Sequence, residues 1–146
     1  MSRVADILAN KGPDVLTVPK TTTVYDAIAK MVEVNVGSVI ITEDDAVCGI
    51  FTERDYLRRI VLEGRTSRDT QVMEVMTARL VVVDPTSEVT DCMSLMTSQR
   101  IRHLPVMDGP RLVGILSIGD VVRTLSSERE AEVRYLTDYI SGKYPG

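Results

Sequence analysis

The chain has 146 residues, 44% apolar and 26% charged, with a formal net charge of −4. That length can bury roughly two-thirds of its unfolded surface without staples, and the composition is that of an ordinary globular protein. No run approaches the roughly 18 apolar residues of a membrane span, the first residues lack the apolar stretch of a signal peptide, and the acidic balance argues against nucleic acid as main partner, so the expected compartment is the cytoplasm.

In chain order, residues 4–8 read as a short apolar helix and residues 10–14, Asn-Lys-Gly-Pro-Asp, as a loop. Leu16-Thr17-Val18 is a brief strand, and Thr21-Thr22-Thr23 offers a cap for a helix starting near Val24. Val24, Ile28, Met31 and Val32 then fall on one helical face. Gly37 interrupts. Residues 38–42 and 47–51 flank Glu43-Asp44-Asp45, which predicts a hairpin. Thr52 caps a helix running to about Leu62. Residues 64–71 are polar, as a linker should be. A short helix at 72–76 and a brief strand at 80–83 follow, then a helix face of Val89, Met93 and Met96. Residues 104–107 and 112–116 form a second hairpin around Asp108-Gly109-Pro110, and Ser117 caps a helix over 118–125. Residues 128–140 read as one more amphipathic helix, with Val133, Leu136 and Ile140 on one side. Three of the five tyrosines (Tyr135, Tyr139, Tyr144) sit in this tail.

The order is a repetition. Gly49-Ile50-Phe51-Thr52-Glu53-Arg54-Asp55 returns 65 residues later as Gly114-Ile115-Leu116-Ser117-Ile118-Gly119-Asp120. The same offset pairs Val24 with Val89, Asp26 with Asp91, Met31 with Met96 and Arg58 with Arg123, without a gap between Thr17 and Ile60. The expected organisation is a first repeat over 1–63, a linker over 64–71, a second repeat over 72–126 and a C-terminal helix and tail over 127–146. Each copy reads strand, helix, strand, strand, helix. One copy has too few strands to cover its helices, so the expected fold is α+β, two βαββα units packed sheet to sheet about a pseudo-two-fold axis. Cys48 aligns with Val113 and Cys92 with Ala27, which predicts two separate buried thiols rather than a redox pair.

The duplicated Gly-x-x-Thr/Ser-x-x-Asp carries the chemistry. Glycine lets the strand end approach another backbone or a ligand closely. The hydroxyl stands at a helix N-cap, beside free N–H groups and the positive end of the helix dipole, where a phosphate is welcome. The aspartate follows one turn on and can accept two hydrogen bonds from vicinal hydroxyls. A diol beside a phosphate describes a ribonucleotide. A plain helix cap would use the same residues; the duplication weighs toward a ligand.

These motifs, with Arg100-Ile101-Arg102-His103-Leu104-Pro105-Val106-Met107-Asp108 and Val72-Met73-Glu74-Val75-Met76-Thr77, resemble the tandem cystathionine-β-synthase (CBS) domain pair, or Bateman module. The resemblance implies that Asp55 and Asp120 hold ribose hydroxyls and that Thr52 and Ser117 touch phosphate. It implies that Val36, Gly37 and Ser38 of the first copy, and Ile101, Arg102, His103 and Pro105 of the second, line the adenine and phosphate region. Leu16 and Thr77 enter as the loops that touch the base. Arg54 and Arg58 either serve a phosphate or form, with Arg59, a solvated helix face. Arg102 and His103 stand where the first copy has neutral Gly37-Ser38, so they are expected to read phosphate charge, with binding that strengthens as pH falls toward 6.

The function expected on this basis is that of a regulatory sensor binding an adenine nucleotide (AMP, ADP, ATP or NAD(H)) and acting on an unknown protein partner. The alternative is a ligand-independent interaction module that uses its dimer surface and C-terminal helix. An enzyme is not expected. There is one histidine and no Gly-x-Gly-x-x-Gly, no metal-ligand cluster is apparent, and Ser117 comes one residue late for a nucleophile elbow. A homodimer through the repeat helices (24–34, 53–62, 89–99 and 118–125) is expected, because their apolar faces cannot all be covered within one pair.

Overall fold

Two antiparallel hairpins organise the molecule, whose computed structural model describes residues 1–12 and 14–140, with Tyr139 described by its backbone alone. Pro13 of the first loop and Tyr144 of the tail lie outside the described residues. The elements are α1 (Val4–Lys11), β1 (Thr17–Pro19), α2 (Val24–Val34), β2 (Ser38–Glu43), β3 (Ala46–Thr52), α3 (Glu53–Asp55), α4 (Val72–Val75), α5 (Val89–Gln99), β4 (His103–Asp108), β5 (Arg111–Ser117) and α6 (Ile118–Ile140). Helix α3 continues as a π-helical stretch over Tyr56–Val61, with Leu62 N–H reaching back five residues to the Leu57 carbonyl.

The hairpins match in detail. The first turns on Asp44 and Asp45, both at positive φ, and the second on Gly109 and Pro110. Each carries a register shift at the same repeat position, Ile41/Thr42 and Val106/Met107. Helices α2 and α5 end on left-handed caps at corresponding residues, Asn35 and Arg100.

The copies differ at their first strand. In the first, β1 pairs in parallel with β2, and Ile40 N–H donates to the Leu16 carbonyl. The strand expected at 80–83 is reduced to a single bridge, Val83 to Val106, so the second sheet has only β4 and β5 among the described residues. The cause is Pro105. It occupies the repeat position of Ile40 and has no N–H to give. A second departure lies at the C-terminus. The two helices expected over 118–125 and 128–140 are one helix, α6, because Ser126-Ser127 contains neither glycine nor proline to break it.

The two apolar cores form by a reciprocal exchange. The first gathers Val18, Met31, Val39, Phe51 and Ile60 around Val72 and Val75 of α4. The second gathers Val89, Met96, Leu104, Leu116 and Val121 around Val4 and Ile7 of α1. Backbone bonds tie each short helix to its host. Val4 and Ala5 N–H donate to Ser87 and Pro85 carbonyls, and Val72 N–H donates to Thr22. Thus α1 packs with the second copy and α4 with the first. Cys48 packs against the first core and Cys92 lies inside the second, so the thiols are apart.

Candidate functional site

Each duplicated motif folds as a capping box at a strand-to-helix turn. At the first, Asp55 N–H donates to Thr52 Oγ1 (3.2 Å), while Thr52 N–H and hydroxyl both donate to Asp55 Oδ2 (3.0 and 3.2 Å). The other carboxylate oxygen accepts from the Thr77 hydroxyl at 3.3 Å. Thr77 arrives there because residues 76–77 run beside β3, with Ile50 and Thr77 exchanging both backbone bonds. Gly49 makes room for this, since a Cβ there would meet the Met76 side chain. Asp55 is buried. Its nearest cation, Arg59, stands 4.0 Å away and spends its guanidinium on the Val75 and Met76 carbonyls.

At the second turn the partners are charged. Asp120 N–H donates to Ser117 Oγ (3.2 Å), and Ser117 N–H donates to Asp120 Oδ2 (2.9 Å). The same oxygen accepts from Lys11 Nζ at 2.7 Å, and Oδ1 accepts from Arg123 Nη2 at 2.8 Å. Lys11 also donates to the Ile115 carbonyl at 2.8 Å. Burial alone would push the Asp120 carboxyl up. The Lys11 ammonium and the Ser117 donors outweigh it and hold the group below the ordinary carboxylate range. An open groove of about 450 Å³ leads from Asp120 between α1 and α6, past Asn10, Lys11, Arg123 and Ser127 to Glu128.

The two turns meet at the junction between copies. His103 Nε2 lies 3.3 Å from where a Cβ on Gly37 would be, and Glu53 Oε1 lies 3.0 Å from the same point. A side chain at 37 would therefore press on the Glu53 carboxylate first and on the imidazole next. Arg54 crosses the junction and donates to the Arg100 carbonyl at 2.6 Å, where α5 ends. Burial lowers the His103 pKa below its ordinary 6.5; Glu53 opposes this and Lys11 adds to it. The sign for stability follows. The contribution of a depressed imidazole is intact above 6.5 and is lost as pH falls through its lower folded value. His103→Gln is expected to flatten the stability–pH profile below 6.5, as read by urea unfolding at successive pH values.

Among the residues singled out from the sequence, Thr52, Asp55 and Thr77 come together, and Ser117 and Asp120 do so at the other turn. Gly37 and Ser38 adjoin the first turn, since Glu53 N–H donates to the Gly37 carbonyl and Ser38 pairs with Thr52. Arg102 and His103 adjoin the second in the same way, through Ile118 N–H and Ser117. Leu16 packs partly buried against the first core and Ile101 against the second. Pro105 is buried within β4, Val36, Arg58 and Arg102 are exposed, and Arg54 is held by a backbone carbonyl. The sequence reading missed Lys11. Its lone signal was a cation at the end of a short helix, 109 residues from its partner.

A family model for the CBS domain matches residues 4–62 and 72–127. The CBS domain-containing protein CBSX3, mitochondrial, of Arabidopsis thaliana is 41% identical over 97% of this chain and 73% of its own length. The structure resembles that of a protein with CBS domains from Burkholderia ambifaria, with a TM-score of 0.82 and 45% identity, over 85% of this chain and 93% of that one. A CBS domain protein of Pyrobaculum aerophilum complexed with AMP superposes with a TM-score of 0.74 at 26% identity, over 86% of this chain and 99% of that one.

Proposed function

The chain belongs to the CBS-domain family, with two copies in tandem, and from that premise we propose that it is a regulatory module that binds an adenine nucleotide. The observation that carries this reading is the duplicated buried carboxylate. Asp55 and Asp120 each stand one turn into a helix behind a hydroxyl cap, overlaid by a segment from beyond their own hairpin. That arrangement suits a ribose diol with a phosphate at the helix start. The AMP complex of the P. aerophilum relative supports the choice of ligand class.

In this reading Thr52, Asp55, Thr77, Gly37 and Ser38 serve one nucleotide and Ser117, Asp120, Arg102 and His103 the other. Leu16, Val36, Ile101 and Pro105 shape the surroundings, and Arg54 and Arg58 supply outlying positive charge. AMP, ADP, ATP and NAD(H) are the ligands to separate by calorimetric titration of nucleotide-free protein; no heat from any of them would end the proposal. The module acts on a protein partner and carries out no turnover of its own. No helix among the described residues is long and apolar enough to cross a membrane. The cytoplasm is one compartment for it, and the mitochondrion, by analogy with the Arabidopsis relative, the other.

Assembly is part of the proposal. Val32 (74% exposed), Leu57 (57%) and Leu62 (80%) leave an apolar surface on the helices of the first copy. A homodimer through these helices and their repeat counterparts would cover it. Light scattering at micromolar concentration is expected to give twice the chain mass, and a monomer mass would reject the dimer. The exposed Val133, Leu136 and Ile140 of α6 favour a second reading, in which that helix docks a partner without any ligand.

A further inference from the structure

The two turns are alike in backbone and unlike in charge. Lys11 and Met76 occupy corresponding repeat positions. At the first turn that position is a thioether packed beside Gly49, and the Asp55 carboxylate has hydroxyl and amide partners, with its nearest cation, Arg59, 4.0 Å away and bonded to two backbone carbonyls. At the second it is an ammonium bonded to the carboxylate itself. Asp120 offers about four acceptor sites, and Lys11, Arg123 and the Ser117 amide take three. A diol brings two donors, so one present partner must leave. The Ser117 amide is fixed by the turn. Arg123 has a side chain 74% exposed and can swing into water, whereas Lys11 is 31% exposed and pinned by the Ile115 carbonyl as well. Lys11 therefore stays. An ammonium has three N–H donors, two of which are used within the protein, so one is left over on a side chain that lines the groove. That donor sits on a charged ammonium, and the hydrogen bond it can still make is strongest to an anionic acceptor. A phosphate offers such an acceptor and a free nucleoside does not.

We infer that Lys11, reaching Asp120 from α1, is the specificity-determining residue of the Asp120 site, making it select phosphorylated nucleosides over free ones, and that the Asp55 site lacks this selection. The inference rests on the nucleotide reading above and names the group that reads the phosphate. It also moves that role from Arg102 and His103, the residues expected from the sequence, to a residue contributed by the exchanged helix.

The test isolates the second site in an Asp55→Ala chain, where the Thr52 cap still accepts from the backbone N–H of residue 55. AMP and adenosine are titrated into this chain and into versions that add Lys11→Met or Lys11→Gln. Glutamine keeps a donor without the charge, so it separates charge from the anchoring of α1; urea unfolding confirms that each variant is folded. With Lys11 present, AMP is expected to bind at least about tenfold tighter than adenosine. In both Lys11 variants the AMP affinity is expected to fall about tenfold, with adenosine changing by less than about twofold, so that the preference is lost. Equal losses for the two ligands would overturn the inference, because Lys11 would then only hold α1 in place. An unchanged preference would overturn it as well. AMP binding to the wild-type chain but not to the Asp55→Ala chain would overturn it while leaving the nucleotide reading intact. No binding of AMP, ATP or NAD to the wild-type chain would remove both.

Discussion

A chain lacking residues 1–11 is expected to lose the second copy while the first stays folded. Helix α1 supplies Val4 (0% exposed) and Ile7 (6%) to the second core, and each such side chain contributes about 1.5–3 kcal/mol when buried. Deletion also takes the hydrogen-bond partners of the Ser87 and Pro85 carbonyls and of the Val89 N–H, and it strips Asp120 of Lys11. Set against a total stability of about 5–15 kcal/mol for a whole domain, the loss is large for one half. The first core keeps α4 and all its own strands. Hydrogen exchange should report this directly, with amides of β4, β5 and α5 losing protection and those of β2 and β3 retaining it. Loss of protection in β2 and β3 instead would mean that α1 supports the first copy, contrary to the packing.

The second large effect concerns the carboxylates. Asp120→Ala is expected to weaken AMP binding at its site by about 1.5–3 kcal/mol, the scale of hydrogen bonds to a charged group. Asp55→Ala should cost a similar amount at the other site, and the double variant should lose affinity at both by about that much. The caps themselves survive in both variants, because Thr52 and Ser117 accept from the backbone N–H of residues 55 and 120. The helix starts are therefore retained; at residue 120 the loss of binding also includes the release of Lys11 and Arg123 from the carboxylate. Wild-type affinity in the double variant would reduce both aspartates to capping groups.

Much of this architecture was legible because it is local. The hairpins, the caps at Thr52 and Ser117, and the helical faces of α2 and α5 follow from neighbours within a few residues, and the duplication repeated each reading independently. The missing strand was readable too, had Pro105 been weighed as an absent donor opposite the chain at Val81–Val83 rather than as part of a binding motif. What the sequence hid is of another kind. The Lys11–Asp120 pair, the crossing of Arg54 to Arg100 and the approach of His103 to Gly37 depend on how one copy sits on the other. No periodicity encodes that placement. The Lys11/Met76 difference was visible in the alignment of the copies, but only the geometry gives it meaning.

The exchange of short helices also bears on how the chain comes to be folded. During synthesis, N-terminus first, α1 emerges before any of its hosts, since the β4–β5 hairpin and the start of α6 lie roughly a hundred residues behind. At about 5–20 residues per second, Val4 and Ile7 wait on the order of ten seconds for a surface to cover them. The first hairpin waits as well, for Val72 and Val75, and so cannot close its core when its own repeat is complete. Neither repeat is an independent folding unit on the ribosome. The first core can close once α4 has emerged, whereas the second matures late, through contacts of long sequence separation, which is the slow regime for a chain of this size. Each half carries the last piece of the other, and this couples their assembly before any ligand is involved.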